Sequence, residues 1–291
     1  VANLQQQLRR YEAKEQRTDE QNERILRAQM EAILGDIDLK QDKSGHGHGY
    51  GGGYGDGLDV TVWGWLTYLT MSNSDRNTFW AWEIEIDVTK TFTERLAASF
   101  DLEFVDTNSG ARTDVEQLFL SAVLSPEQRT VLTVGKFNAP FGIEPRDFWD
   151  RFTGSRSLLF DAIPHDLTGM MLTQPVGDSA FTVQPFVVNG FDHDMDVNSQ
   201  PSLGIVAAWE PSEDLRLAVT NMYGPEMADD TGDKQYMLLV EGEWYITDAT
   251  TIWAQLLYGT TESPTGRMNW HGAAVIVNHD FNERWRVFFR W

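Results

Sequence analysis

The sequence predicts an all-β fold, an antiparallel transmembrane β-barrel that follows an N-terminal α-helical segment. Between residues 58 and 291, segments of about ten residues alternate apolar with polar side chains, and turns separate the segments. The connections are alternately short and long, which is typical of membrane barrels. No apolar run reaches about eighteen residues, so a transmembrane helix is excluded. A strand with lipid on one face and water on the other must alternate in this manner.

The composition and charge exclude several kinds of protein. The chain has 44 acidic and 23 basic side chains, for a net charge of −21, which argues against a nucleic-acid partner. Cysteine is absent, which excludes disulfides and thiolate chemistry. The acidic loop around His193 could bind Ca²⁺ loosely, but a solvated acidic loop is the favoured interpretation. We therefore expect no metal and no cofactor, and the eleven tryptophans fit the aromatic girdles of a barrel.

Residues 1–43 differ in kind from the rest of the chain. They are rich in Gln, Glu, Arg and Ala, which favour helix, and their apolar residues recur at intervals of three and four. We interpret the segment as a helix with a short coiled-coil seam that joins copies of the chain, for example as a trimer. The alternative is a single amphipathic helix lying on its own barrel. Residues 44–57 form a Gly/His-rich linker. The seam residues are Leu4, Leu8, Tyr11, Leu26, Met30 and Ile33.

The strands of the predicted barrel occupy residues 58–291. The alternation is strongest at 79–88, 95–106, 115–124, 236–246 and 284–291. Weaker strands fit 58–71, 130–137, 167–174, 180–189, 202–210, 214–222, 251–259 and 269–279. These are thirteen strands, whereas bacterial barrels usually have an even number of strands. We therefore expect a barrel of about 14 strands, or of 16 strands if the full chain continues past Trp291. The alternatives are a strand divided wrongly or a barrel that ends at the aromatic Trp291.

The pattern of connections sets the orientation of the predicted barrel. Six connections are short, and six are longer or more polar; two of the latter are 107–112 and 260–268. Because short turns lie on the periplasmic side, the N-terminal helix and the linker are predicted to be periplasmic.

The longest connection, Asn138–Asp166, is too apolar to extend into water. Eight of its large apolar residues need burial, and folding inward would bury them and narrow a channel. These residues are Phe141, Ile143, Phe148, Trp149, Phe152, Leu158, Leu159 and Phe160.

Charged residues on the predicted inner wall and in this loop are candidates for lining a constriction. Opposed charges across a narrow aqueous gap orient dipolar solutes and filter ions. An alternative for the arginines is salt bridges within the loop, to Asp147, Asp150 and Asp161. The basic candidates are Lys136, Arg146, Arg151 and Arg156. The acidic candidates are Glu83, Glu85, Asp87, Asp101, Glu103, Glu241 and Glu243.

The segment around this loop resembles a known family. The stretch TVGKFNAPFGIEPRDFWDRFTGSRSLLF, followed by PHDLTGMML, contains a GKF-x₄-G-x-E motif at Gly135, Lys136, Phe137, Gly142 and Glu144. It is similar to the OmpL-like β-barrel porin family, which is related in style to the phosphate-selective porins. The resemblance implies an outer-membrane diffusion channel. Phosphate selectivity does not carry over, because the predicted wall charges are largely acidic.

These observations predict a porin of the Gram-negative outer membrane that allows passive diffusion of ions or small hydrophilic solutes. No GxSxG, HExxH or P-loop motif is present, so we expect no enzyme activity. An alternative is a non-conducting anchor or scaffold in the outer membrane, whose N-terminal helix binds a periplasmic or envelope partner. A third interpretation is a water-soluble, acidic β protein.

Overall fold

The computed structural model describes residues 57–70, 77–107, 110–146, 155–228, 230–282 and 285–291. Within these ranges the fold is all-β, as predicted, apart from one short 3₁₀ helix at Phe160–Ala162. None of the helical structure in these ranges is long and apolar enough to cross a membrane. The predicted N-terminal helix, its seam residues and the predicted linker 44–57, except for Gly57, lie outside the described residues. The strands are β1 Leu58–Thr70, β2 Asn77–Thr93, β3 Leu96–Thr107, β4 Gly110–Ser125, β5 Thr130–Asn138, β6 Asp166–Pro175, β7 Phe181–Val188, β8 Ser202–Ser212, β9 Leu215–Pro225, β10 Lys234–Thr247, β11 Thr250–Ser263, β12 Gly266–Asn282 and β13 Trp285–Arg290.

The strands form one continuous antiparallel sheet. Their order in the sheet equals their order in the chain, from β1 to β13, so every strand pairs with its sequence neighbours. This confirms the predicted antiparallel arrangement and the count of thirteen. Among the described residues, β1 and β13 each pair with one neighbour only, so the pairings do not close a barrel.

Two of the predicted loops are shorter than expected. Only residues 108–109 separate β3 from β4, and only residues 264–265 separate β11 from β12. The polar residues near these turns were predicted as loop but continue the strands. The reason is length: β4 has 16 residues and β12 has 17, and at about 3.3 Å per residue they exceed the roughly 30 Å of a bilayer core. Polar residues are therefore compatible with strand wherever a strand extends beyond the lipid.

The two faces of the strands differ as the alternation predicts. On β4, Leu118 and Leu120 are exposed on the outer face. On β2, β3 and β10, the carboxylates Glu85, Asp101 and Glu241 are buried on the inner face. The predicted division into an apolar outer face and a polar inner face is confirmed for these segments.

The inner face between β4 and β11 carries an apolar core that the sequence analysis did not predict. Met222, Met237 and Leu239 are fully buried there, and they belong to one cluster with Phe119 of β4 and Leu257 of β11. Glu144, six residues after the end of β5, accepts a hydrogen bond from Arg290 on β13. Six extended residues reach about 21 Å, whereas the eight strand spacings from β5 to β13 would cover about 38 Å in a flat sheet, at about 4.8 Å per strand. The sheet therefore curves, and its inner face encloses the long loop between β5 and β6.

Candidate functional site

The loop from residue 139 to residue 165 packs against the inner face of the sheet. Phe141, Ile143 and Phe160 are buried, as predicted. The ring of Phe141 stacks with that of Phe186 on β7, with ring centroids 6.2 Å apart. Leu158 differs from the prediction, since 86% of it is exposed, whereas its neighbour Leu159 is partly buried and packs against the core. Phe148, Trp149 and Phe152 lie outside the described residues.

The backbone of the loop is bound to the far wall of the sheet. The amide of Gly142 donates to Glu241 Oε2 at 2.7 Å, and the amide of Ile143 donates to Gln255 Oε1 at 3.1 Å. Glu241 lies on β10 and Gln255 lies on β11, so both acceptors are far along the sheet from β5. These two bonds fix the loop across the interior.

Glu144, the last residue of the GKF-x₄-G-x-E motif, holds the loop to itself and to β13. Its carboxylate accepts from the amide of Ser157 at 3.0 Å and from Arg290 Nη1 at 2.9 Å. Arg290 also donates to the hydroxyl of Ser155 at 2.8 Å and to its carbonyl oxygen. The loop thus connects strand β5 to the last strand of the sheet.

Arg146 is the one predicted constriction arginine that lies inside the sheet among the described residues. Its Nε is 2.7 Å from Glu116 Oε1, and Nη1 donates to Asp166 Oδ1. Burial disfavours the charge of Arg146, but Glu116 and Asp166 outweigh this effect and raise its pKa. These partners belong to β4 and β6. Of the aspartates named in the alternative prediction, Asp147 and Asp150 lie outside the described residues, so that alternative stays a prediction.

The other predicted basic residues lie elsewhere. Lys136 Nζ is 2.9 Å from Asp194 Oδ1 in the loop after β7, away from the interior, because β5 presents this residue on the other side from Phe137. Arg156 is exposed, lies over the ring of Phe160 and donates to the carbonyl oxygen of Arg146 at 2.8 Å. Arg151 lies outside the described residues.

Arg216 on β9 is a central charged residue that the sequence analysis missed. Its guanidinium is 2.9 Å from Glu241, 3.3 Å from Glu210 and 3.4 Å from Glu243. Strand alternation could have placed Arg216 on the inner face, since its neighbour Leu217 faces outward, but the partners come from two other strands, β8 and β10, and appear only in the sheet register. One cation and three carboxylates leave an excess of negative charge on this wall.

A cavity of about 430 Å³ lies between the loop and the sheet. Arg146, Arg216, Glu241 and Glu243 line it, together with Glu210 and neutral polar side chains of β4 to β7. Arg146, Glu241 and Glu243 were candidates from the sequence, and the fold brings all three to this one space.

The remaining predicted carboxylates form a separate group on β2 and β3. Glu85, Asp87 and Asp101 each present a carboxylate oxygen within 4.8 Å of the others. The sheet register places Glu103 opposite Glu85, and Glu83 precedes them on β2. Trp63 Nε1 donates to Asp87 Oδ2 at 2.9 Å. This acidic group is not part of the cavity lining.

A second loop, residues 189–201, braces the first. Asp192 Oδ1 accepts from the amides of His165 and Asp166, at 2.5 and 2.9 Å. Glu226, after β9, accepts from the amide of Phe191 at 2.9 Å and from the hydroxyl of Ser202 at 2.6 Å. Burial raises the pKa of Glu226, although these two hydrogen bonds oppose the shift.

A curved antiparallel meander with a loop folded onto its inner face is an architecture typical of porins. The sequence profile of the family described as "Putative beta-barrel porin-2, OmpL-like" matches residues 85–291, and the chain belongs to this family. This confirms the resemblance drawn from the motif around Gly135.

Solved porins share the fold. The anion-selective porin of Comamonas acidovorans matches with a TM-score of 0.52 and 12% identity, over 80% of this chain and 77% of the porin. OmpF of Salmonella typhi, in a complex with daunomycin, matches with a TM-score of 0.50 and 13% identity, over 79% of this chain and 76% of that chain. At such low identity these likenesses concern the fold alone. No curated protein sequence matches the chain.

Proposed function

We propose that the protein is a porin of the Gram-negative outer membrane that allows passive diffusion of ions and small hydrophilic solutes. The observation that carries the proposal is the loop bound across the interior, which leaves a charged cavity of about 430 Å³ beside it. Membership of a porin family supports the same function. No catalytic step is proposed, and no cofactor is needed for diffusion.

The proposed channel favours cations. Its interior carries the acidic group of Glu85, Asp87 and Asp101 and the excess carboxylates around Arg216. The predicted countercharges on Lys136 and Arg156 are directed elsewhere, so among the described loop residues Arg146 is the positive charge that faces the interior. Rings of carboxylates select cations by attracting them and repelling anions.

Conductance in a planar bilayer tests this proposal. We expect steady ion conductance, and a reversal potential in a salt gradient that shows cation preference. Deletion of residues 1–57 is the matched control, because it leaves the sheet intact. Conductance that persists after the deletion supports the porin, whereas an absence of conductance in the full chain contradicts it.

A second candidate is a non-conducting anchor whose N-terminal segment binds a periplasmic or envelope partner. The observation that favours it is the inner wall, where Val206, Met222, Met237 and Leu239 are fully buried, so that part of the interior is closed to water. This candidate predicts no conductance, and loss of a co-purifying partner when residues 1–57 are deleted.

Self-association through the N-terminal segment is a further part of the proposal. Residues Leu4, Leu8, Tyr11, Leu26, Met30 and Ile33 would form the seam on the periplasmic side, for example in a trimer. Sedimentation of the detergent-solubilised full chain against the chain lacking residues 1–57 tests this. An unchanged oligomeric state after the deletion would contradict the seam.

A further inference from the structure

Glu226, which follows β9, is a buried carboxylate whose hydrogen-bond donors are neutral. Only 9% of its side chain is exposed, and it accepts from the hydroxyl of Ser202, at the start of β8, and from the amide of Phe191. On β10, the ammonium of Lys234 donates to Gln200 Oε1 at 3.1 Å. A buried carboxylate without a cation is unfavourable, so a proton or a positive charge at this position would stabilise the structure.

The charged groups that face Glu226 come from the loop 189–201, which we call the brace loop. His193 Nδ1 is 3.5 Å from Glu226 Oε2, and this buried nitrogen has no hydrogen-bond partner among the described residues. Asp196 adds a negative charge nearby. At Gly190 the backbone passes directly over the pair, since an added Cβ would lie 2.5 Å from Oε2 and 2.7 Å from Nδ1. The loop thus encloses a carboxylate together with a titratable partner.

The brace loop connects this pair to the end of the long loop 139–165. Asp192, directly before His193, accepts from the amides of His165 and Asp166 at 2.5 and 2.9 Å. Asp192 has a positive φ of 56°, which is uncommon for a residue other than glycine. The backbone at this point is therefore held by its contacts, and a change of charge at the next residue acts on them.

We propose that the brace loop is an acid-strengthened clamp on the end of the long loop, switched by the pair of His193 and Glu226. When the pH falls, the pair takes up a proton. A proton on the carboxyl removes its negative charge, and a proton on the imidazole gives it a cationic partner at 3.5 Å. The regulation of a channel in this way rests on the proposed function, in which the long loop narrows the channel.

The direction of the effect follows from linkage. Burial raises the pKa of Glu226, and Asp196 acts in the same direction, against the hydrogen bonds from Ser202 and Phe191. The braced state therefore binds the proton more tightly than a released state in which the carboxyl is solvated. The clamp is strongest below the pKa of the released carboxyl, and it weakens as the pH rises through the pKa of the braced carboxyl.

Hydrogen exchange of the detergent-solubilised full chain tests the clamp without requiring conduction. The protection factor of the His165 amide, which Asp192 accepts, is divided by that of the Ile143 amide, whose acceptor Gln255 does not titrate. We expect this ratio to be about fivefold or more higher at pH 5.5 than at pH 7.5, since a pKa difference of one unit changes an equilibrium by about tenfold. A ratio that is unchanged or lower at pH 5.5 overturns the proposal.

A substitution locates the switch at Glu226. Glu226→Gln keeps the shape of the side chain and loses its titration, so we expect the protection ratio to change by less than about twofold between the two pH values. Asp178→Asn removes a carboxyl from the exposed turn between β6 and β7, and this matched control is expected to keep the full change. A Glu226→Gln variant that keeps the full change overturns the clamp. If that variant does not fold, the comparison of the two amides in the unsubstituted chain still decides.

Conductance separates this inference from the proposed function. A chain whose protection ratio rises at pH 5.5 but which does not conduct contradicts the porin and keeps the clamp. A chain that conducts but shows no change in the protection ratio keeps the porin and overturns the clamp.

Discussion

Gly135 and Gly169 are paired with each other on β5 and β6, and both have positive φ, at 133° and 159°. A Cβ added at Gly135 would lie 2.2 Å from the carbonyl oxygen of Leu118. At Gly177, in the turn between β6 and β7, φ is also positive, at 57°, but nothing lies within 4 Å of an added Cβ. The first glycine of the GKF motif is therefore required by close strand contact as well as by φ.

Gly135→Ala and Gly177→Ala are thus a matched pair. We expect Gly135→Ala to lower the free energy of unfolding by about 3 kcal/mol or more, since both the backbone and β4 must shift. Gly177→Ala is destabilised only by its left-handed backbone conformation, which lowers the free energy of unfolding by about 1 kcal/mol. Denaturant unfolding in detergent, followed by tryptophan fluorescence, measures both. Equal losses would show that contact with Leu118 contributes nothing.

Glu226 makes stability depend on pH in a defined direction. Burial raises its pKa in the folded protein above the unfolded value of roughly 4.3. The folded state then holds the proton more tightly, so its stabilising contribution is complete below the unfolded pKa and is lost as the pH rises through the folded pKa. The glutamine of the Glu226→Gln variant does not titrate, so this variant is the reference.

We therefore expect the melting temperature of the unsubstituted chain, relative to that of Glu226→Gln, to be higher at pH 4 than at pH 7. Circular dichroism of thermal unfolding at both pH values measures the difference, and all groups common to both proteins cancel. A difference that grows in the opposite direction would mean that the hydrogen bonds from Ser202 and Phe191, rather than burial, decide the pKa.

At the residue scale, alternation predicts the side of the sheet but not the partner. The sequence places Glu241 on the inner face, and the structure agrees. It does not indicate that the Glu241 carboxylate accepts hydrogen bonds both from Arg216 and from the amide of Gly142, which lies 99 residues away in the chain. Lys136 was predicted to line the constriction because it is charged, but the strand directs its side chain to Asp194 instead. Partners depend on register and curvature, which no local pattern contains.

At the scale of elements, the long loop was predictable because its apolar residues had to be buried somewhere. The surface that receives it was not. Segments such as 202–210 are apolar on both faces, so their sequence gives no alternation from which to distinguish lipid from interior. The apolar inner wall, with Val206 and Ala208, packs against the loop, and this match explains why both faces are apolar.

The hydrogen bond from Ile143 to Gln255 tests whether the loop is held in place. Gln255→Leu leaves the buried amide of Ile143 without its acceptor, and we expect the loop to be destabilised by about 1–3 kcal/mol. Hydrogen exchange at the Ile143 amide measures local opening directly. Gln235→Leu is the control, because Gln235 accepts from Thr261 on the neighbouring strand and does not contact the loop. Equal protection in both variants would mean that this bond does not hold the loop.

At the scale of the whole molecule, strand number determines how the sheet can close. In an antiparallel meander with an odd number of strands, the first and last strands run in the same direction, so β1 and β13 are parallel. Closure would need a parallel pairing of β1 with β13 or a further strand antiparallel to both. The sequence predicted thirteen strands, but the curvature became evident only from the bonds of the loop to β10, β11 and β13.

The assignment of the outer face to lipid has a direct test at Leu256. This residue lies in the middle of β11, is 60% exposed, and pairs with the outward Val240 and Ala273. In a water-soluble β protein, Leu256→Arg would replace one exposed side chain with another and change stability by no more than about 0.5 kcal/mol. In a bilayer, an arginine near the midplane costs about 2–4 kcal/mol. We expect the larger loss when the protein is unfolded by denaturant from lipid vesicles, with Asp178→Arg in an exposed turn as the neutral control. A loss below about 0.5 kcal/mol for Leu256→Arg would place the outer face in water and contradict the membrane assignment.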